Sequence, residues 1–184
     1  MMDGKTVVRR FEEMRSDRAN HESIWRRIAD VLRPMRENMQ RTVVTPGDRR
    51  HRRIYDSSPL MALSNFKAGL YGMMTNPAVK WFELRIAGQE DLNDQTAVQD
   101  WLGEVKRRLR LSFTPAVSGF YNQVPAMYAD IGAFGSGIFY NAEIVGEGRF
   151  HDVTISLEQT YFAENQWSEV DTVARLLRLT AKQA

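Results

Sequence analysis

Apolar positions recur at helical spacing from the start of the chain. Val7, Val8, Phe11 and Met14 set the pattern, and Ile24, Trp25, Ile28, Val31 and Leu32 resume it. Between them "RSDRANHE", residues 15–22, is polar all round. It reads either as one long helix crossing solvent or as two helices meeting near Asn20. Pro34 ends the run. Residues 35–56 carry no periodicity and hold a Pro46-Gly47 turn signal, so they read as a loop, longer than compact domains usually contain. Ser57-Ser58-Pro59 then offers a capping hydroxyl with proline in the first turn. In the helix it predicts, Leu63, Phe66, Leu70, Met73 and Met74 line one face, and Ala62, Asn65, Gly69 and Gly72 form a thin strip beside it. A helix-interior glycine costs about 1 kcal/mol relative to alanine. The strip therefore suggests either that another backbone passes close to Gly69 and Gly72, or that the helix is loosely packed.

The run stops at Asn76-Pro77, and "KWFELRIA", residues 80–87, reads as a strand. Trp81 and Phe82 within it are expected to anchor the helix against a sheet. A helix follows near 94–113, with Val98, Trp101, Leu102, Val105 and Leu109 on one face. Lys106, Arg107, Arg108 and Arg110 lie near its C-terminus, where cations suit the helix dipole. Residues 118–134 predict a further helix with Pro125 in its first turn or at a kink. "GAFGSG", residues 132–137, reads as a tight connection into "IFYNAEIV" and "RFHDVTISL", two strands around Gly146-Glu147-Gly148, with more strands near 160–166 and 170–179. Helices first and a mainly antiparallel sheet afterwards is an α+β plan. The expected organisation is one region over 1–184: a helical arm 1–34, a basic loop 35–56, a mainly helical part 57–134 and antiparallel β over 135–184. Thr180 and Gln183 match a capping box with no helix behind it, so the expectation is a chain truncated at its C-terminus.

Charge adds one asymmetry. Residues 1–56 hold 14 Lys/Arg against 9 Asp/Glu, whereas the remainder holds 11 against 14. The densest positive stretch is "RRHRR", where Arg49, Arg50, Arg52 and Arg53 could meet phosphates without reading sequence, or form a solvated or intersubunit charged loop. The absence of cysteine excludes disulfides and thiol catalysis. No stretch approaches the ~20 apolar residues of a membrane span, and the N-terminus has no apolar signal core, so synthesis in a cytoplasm is expected.

Enzyme chemistry finds little footing. His21, His51 and His151 form no HxxxH or HExxH pair. "GAFGSG" is neither a P-loop nor a nucleophile elbow, and no carboxylate pair is marked by spacing. The expectation is no catalytic residue, no metal site and no cofactor.

The order of three segments carries a resemblance. They are "SIWRRIADVLRPMR" at 23–36, "RIYDSSPLMALSNFKAGLYGMMTNPAVKWFEL" at 53–84 and "GFYNQVPAMYADIGAFGSGIFY" at 119–140. Together they resemble the head-to-tail connecting (portal) proteins of short-tailed bacteriophages. The pattern is carried by Tyr55-Asp56-Ser57, Gly69-Leu70, Thr75-Asn76-Pro77, Trp81-Phe82, Phe120, Gly132 and Gly135-Ser136-Gly137.

The resemblance implies a structural part, the N-terminal piece of a portal and part of its wing. In the full-length protein it implies a homo-oligomeric ring, commonly of twelve subunits, at the unique portal vertex of a virion assembled in a bacterial cytoplasm. DNA is packaged and ejected through that ring. The implied partners are terminase, scaffold or capsid, tail adaptors, and double-stranded DNA without sequence specificity. In this reading Gly69, Gly72, Trp81 and Phe82 serve close packing or interfaces. The competing reading is a small sequence-nonspecific DNA-binding module using Arg49, Arg50, Arg52 and Arg53.

Overall fold

The computed structural model describes residues 3–34, 56–177, 179, 181 and 182. The basic stretch 49–53 and the Thr180–Gln183 capping signal lie outside the described residues. The element order is α1 (Gly4–Leu32), α2 (Ser58–Met74), α3 (Glu90–Asn93), α4 (Thr96–Ser112), α5 (Phe120–Phe134), β1 (Ile138–Ile144), β2 (Arg149–Ile155), β3 (Thr160–Glu164) and β4 (Val170–Arg175). The fold is α+β, with helices preceding two small antiparallel sheets, β1-β2 and β3-β4. The chain divides into two compact units, one of residues 1–63, 130–138 and 155–184, the other of residues 64–129 and 139–154.

In the first unit α1 is one uninterrupted helix of 29 residues, so the polar stretch near Asn20 is not a break. Ion pairs one turn apart, Glu22 with both Arg18 and Arg26, support that stretch, and Arg9 pairs with Glu13 just before it. They are weak singly; the decisive support is tertiary. Phe11 packs edge-on against Tyr161, ring centroids 4.7 Å apart. Arg10 Nη2 donates to Thr172 Oγ1 at 2.8 Å. Arg18 reaches the turn before β3 and donates to three carbonyls there. Thus α1 lies on the β3-β4 hairpin, and Met14 and Ala29 are its buried residues. The hairpin pairs Thr160 with Arg175 and Phe162 with Val173, with a register irregularity between Ala163 and Glu164, and β3 ends at Glu164, two residues short of the predicted 160–166. Asn165 organises its turn, accepting from the Trp167 and Glu169 backbone N–H groups. The predicted strand at 170–179 stops at Arg175.

Arg33 follows α1 and pairs with Asp130 on α5 at 2.9 Å, both side chains buried or nearly so. At the far end of α5, Gly135 takes φ +77° and its N–H bonds the Ile131 carbonyl, a left-handed helix stop that favours glycine. This is the tight connection expected of "GAFGSG".

In the second unit the structure corrects the reading of residues 80–87, which form no ladder. A side chain does the work of a neighbouring strand. Asn93 accepts from the Ile86 N–H at 2.9 Å and donates to the Ile86 carbonyl at 3.0 Å. Both backbone groups of Ile86 are thereby satisfied without a ladder partner at that residue. The helix expected near 94–113 is α4, and Pro125 sits inside α5 in its second turn rather than its first. Gln123 Oε1 accepts from the Thr154 N–H and the Gln123 carbonyl accepts from Thr154 Oγ1, tying α5 to β2.

Candidate interaction surfaces

The start of α2 is set by Asp56. Its carboxylate accepts from both the N–H and the hydroxyl of Ser58. Those bonds, the backbone one first, hold the Asp56 carboxyl below its usual range. The cap expected from a serine hydroxyl is therefore supplied one or two residues earlier. At the other end Thr75 is buried and receives the Tyr128 hydroxyl at 3.2 Å, while Asn76 Oδ1 accepts from the Ala78 N–H. The Thr-Asn-Pro stop is a turn nailed to α5.

Between these ends α2 is unusually apolar and unusually bare. Leu63 is its one buried residue, whereas Met61, Phe66, Met73 and Met74 are exposed, Met73 to 83%. At about 100° per residue, Asn65, Gly69 and Gly72 fall between Met61 on one side and Phe66 and Met73 on the other. A Cβ added to Gly69 or Gly72 meets nothing within 4 Å. No segment of the described chain occupies the strip. The glycine that does face a close backbone is Gly119, whose added Cβ would lie 3.3 Å from the Asp152 carbonyl oxygen. There the chain runs alongside β2, and the Phe150 N–H donates to the Val117 carbonyl at 2.9 Å. The hydropathy pattern could not flag Gly119, because its partner is non-local.

Trp81 and Phe82 pack among other aromatic rings. They meet each other edge-on at 4.8 Å, and Trp81 stacks parallel to Phe120 at 6.0 Å and contacts Phe113 at 5.7 Å. Trp81 Nε1 donates to the Tyr121 hydroxyl at 3.3 Å. Phe120 in turn meets Phe139 of β1 edge-on at 5.7 Å. Trp81 and Phe82 thus join a cluster between the end of α4 and the start of α5, and Phe120 extends it to β1. Edge and offset geometries of this kind each add about 0.5–1.5 kcal/mol beyond area burial.

Three of the four cations near the end of α4 have specific partners. Lys106 pairs with Glu83 at 2.9 Å, and Glu104 accepts from Arg107 and Arg108, each at 2.8 Å. The two arginines pull the Glu104 carboxyl from 4.5 down to about 2. Lys106 likewise holds Glu83 below its usual range. Arg110 makes no ion pair among the described residues. Among those same residues no group of His, Asp and Glu could hold a metal ion, and no helix is long and apolar enough to cross a membrane.

Residues 4–184 match the family described as bacteriophage head to tail connecting protein. The chain belongs to that family. Among its relatives, the portal protein of Salmonella phage epsilon15 is 28% identical over 177 residues, covering 96% of this chain and 31% of the relative. The probable portal protein of Bordetella phage BPP-1 is 30% identical over 179 residues, covering 97% of this chain and 32% of the relative. This head-to-tail connecting protein thus spans about a third of the length of the curated relatives it matches. The three segments that carried the resemblance map onto the end of α1, onto α2 with its turn and aromatic segment, and onto α5 with β1.

Proposed function

We propose that this chain is part of a portal subunit, a structural component at the head-tail junction of a phage virion and not an enzyme. The observation that carries the reading is the family match across residues 4–184 together with portal relatives. In the full-length protein the subunits assemble as a homo-oligomeric ring, commonly of twelve, and this chain supplies part of its wing. Double-stranded DNA passes through the ring during packaging and ejection, and terminase, scaffold or capsid and tail adaptors dock on it. The bare face of α2, with Gly69 and Gly72 between Met61 and Phe66, is the surface we assign to a neighbouring subunit. A thin apolar strip of this kind suits close helix approach, and apolar area excluded from water contributes about 25 cal/mol per Å². By the same reading Arg49, Arg50, Arg52 and Arg53 contact either DNA phosphates or the adjacent subunit.

The test is Gly72→Trp in the full-length protein, with ring formation followed by electron microscopy and native mass. Loss of rings, with the far-UV circular dichroism of the 184-residue chain unchanged, is the expected result. Normal rings would remove α2 from the interface. For the basic stretch, neutralising all four arginines should flatten the salt dependence of DNA binding; an unchanged slope would clear it of DNA contact.

A further inference from the structure

The second unit contains a cleft of about 770 Å³, within the size range of sites that take a small molecule or a short peptide segment. Its lining joins two kinds of residue. Pro77, Leu111, Pro115 and Tyr121 supply apolar surface, while Lys80, Lys106, Arg107 and Arg110 supply positive charge. Among the described residues no Asp or Glu lines it. Glu83 pairs with Lys106, and Glu104 with Arg107, so two of the four cations have carboxylates beside them. Arg110 makes no ion pair among the described residues, and Lys80 is exposed. Leu111, the next residue after Arg110, is 49% exposed, so an apolar side chain is left in water in the same cleft.

From this combination we propose that the cleft is a docking site for an acidic peptide segment of a partner protein, one carrying an apolar anchor among its carboxylates. Arg110 and Lys80 meet the carboxylates. Arginine favours that role because its planar fork matches a carboxylate with two parallel hydrogen bonds. The apolar anchor covers Leu111 and Pro115. The two prolines and Tyr121 present rigid walls, so little side-chain freedom is lost on binding. The apolar lining favours a peptide over nucleic acid, because a phosphate backbone offers the charge but nothing to cover Leu111 and Pro115.

The probe is a fluorescent synthetic peptide of about ten residues, with glutamates flanking a Phe-Leu pair, titrated against the 184-residue chain by anisotropy. The expected result is saturable binding that weakens severalfold between about 0.05 and about 0.3 M salt. Lys80→Glu with Arg110→Glu should weaken it at least about tenfold, and Leu111→Ser about threefold or more. Circular dichroism and thermal midpoints matching the parent chain establish that the variants fold; Arg110→Gln serves if charge reversal disturbs the helix. Three results would each overturn the proposal. One is affinity unchanged by these substitutions. Another is equal binding of a peptide with Ser-Ser in place of Phe-Leu. The last is duplex DNA that displaces the probe and loses affinity with the same variants, which would make the cleft a polyanion site.

Discussion

The Arg18 guanidinium lies 3.9 Å from the centre of the Tyr161 ring. The same group donates to the carbonyls of Leu157, Glu158 and Thr160 at 3.2, 2.9 and 3.0 Å, and to Glu22 at 2.7 Å. One side chain from the polar middle of α1 therefore closes the carbonyl end of the 3-10 turn at Leu157–Gln159 and covers the aromatic ring beneath it. Its side chain is 11% exposed, so these bonds form away from bulk water. Hydrogen bonds to charged groups contribute about 1.5–3 kcal/mol each as measured by removal, and they are not additive. Arg18→Ala is expected to destabilise the chain by about 3 kcal/mol in urea unfolding. Arg18→Lys should recover less than half of that, because an ammonium cannot span the carbonyls and the ring together. Full rescue by lysine would show that charge alone suffices.

The Arg33–Asp130 pair is a second long-range tie, with Asp130 only 3% exposed. Breaking a buried pair from one side commonly costs about 3–5 kcal/mol. Arg33→Ala should fall in that range, whereas Arg33→Met combined with Asp130→Leu should cost markedly less. Chemical denaturation of the two variants and the parent decides it; equal losses would mean the charge on Asp130 is tolerated.

The glycines separate cleanly. Gly72→Ala should stabilise the 184-residue chain by up to about 1 kcal/mol, since the added methyl meets nothing and helix propensity improves. Gly119→Val should cost about 1–3 kcal/mol, because the Asp152 carbonyl has to move. Thermal unfolding of both variants gives the signs, and a destabilising Gly72→Ala would mean that the strip is covered even in this chain.

Acid should act on α4 through Glu104. Its folded carboxyl sits at about 2 against an ordinary 4.5, a depressed value. Its contribution is therefore present above about pH 4.5 and is lost as pH falls toward about 2. Carboxyl-resolved NMR should place the Glu104 midpoint near 2, and raising the salt should move it upward because the group is exposed. A midpoint of 4 or above at low salt would show that the fork to Arg107 and Arg108 does not persist in solution.

Much of the architecture was legible in the chain. Period-3.6 runs located α1, α2, α4 and α5, and the glycine-bounded alternation located β1 and β2. The expected segment at 80–87 failed as a strand although its pattern fitted a ladder, and at Ile86 the backbone partner is the Asn93 side chain, seven residues away, which periodicity does not report. The thin strip on α2 was visible as a spacing, yet its emptiness was not, since spacing cannot say whether a neighbour is present. Arg18 and Gly119 were invisible for the same physical reason. Each matters through a partner tens of residues away or more, and periodicity reports only local faces.

The docking of α1 on the last hairpin also constrains when this chain can fold. Arg10 and Thr172, joined at 2.8 Å, are 162 residues apart. On a ribosome adding about 5–20 residues per second, α1 emerges roughly 8–30 s before its partner strands exist. Through that interval a helix with Val7, Val8, Phe11 and Met14 along one side lacks the hairpin it docks on, so chaperone occupancy of α1 should persist until β4 is complete.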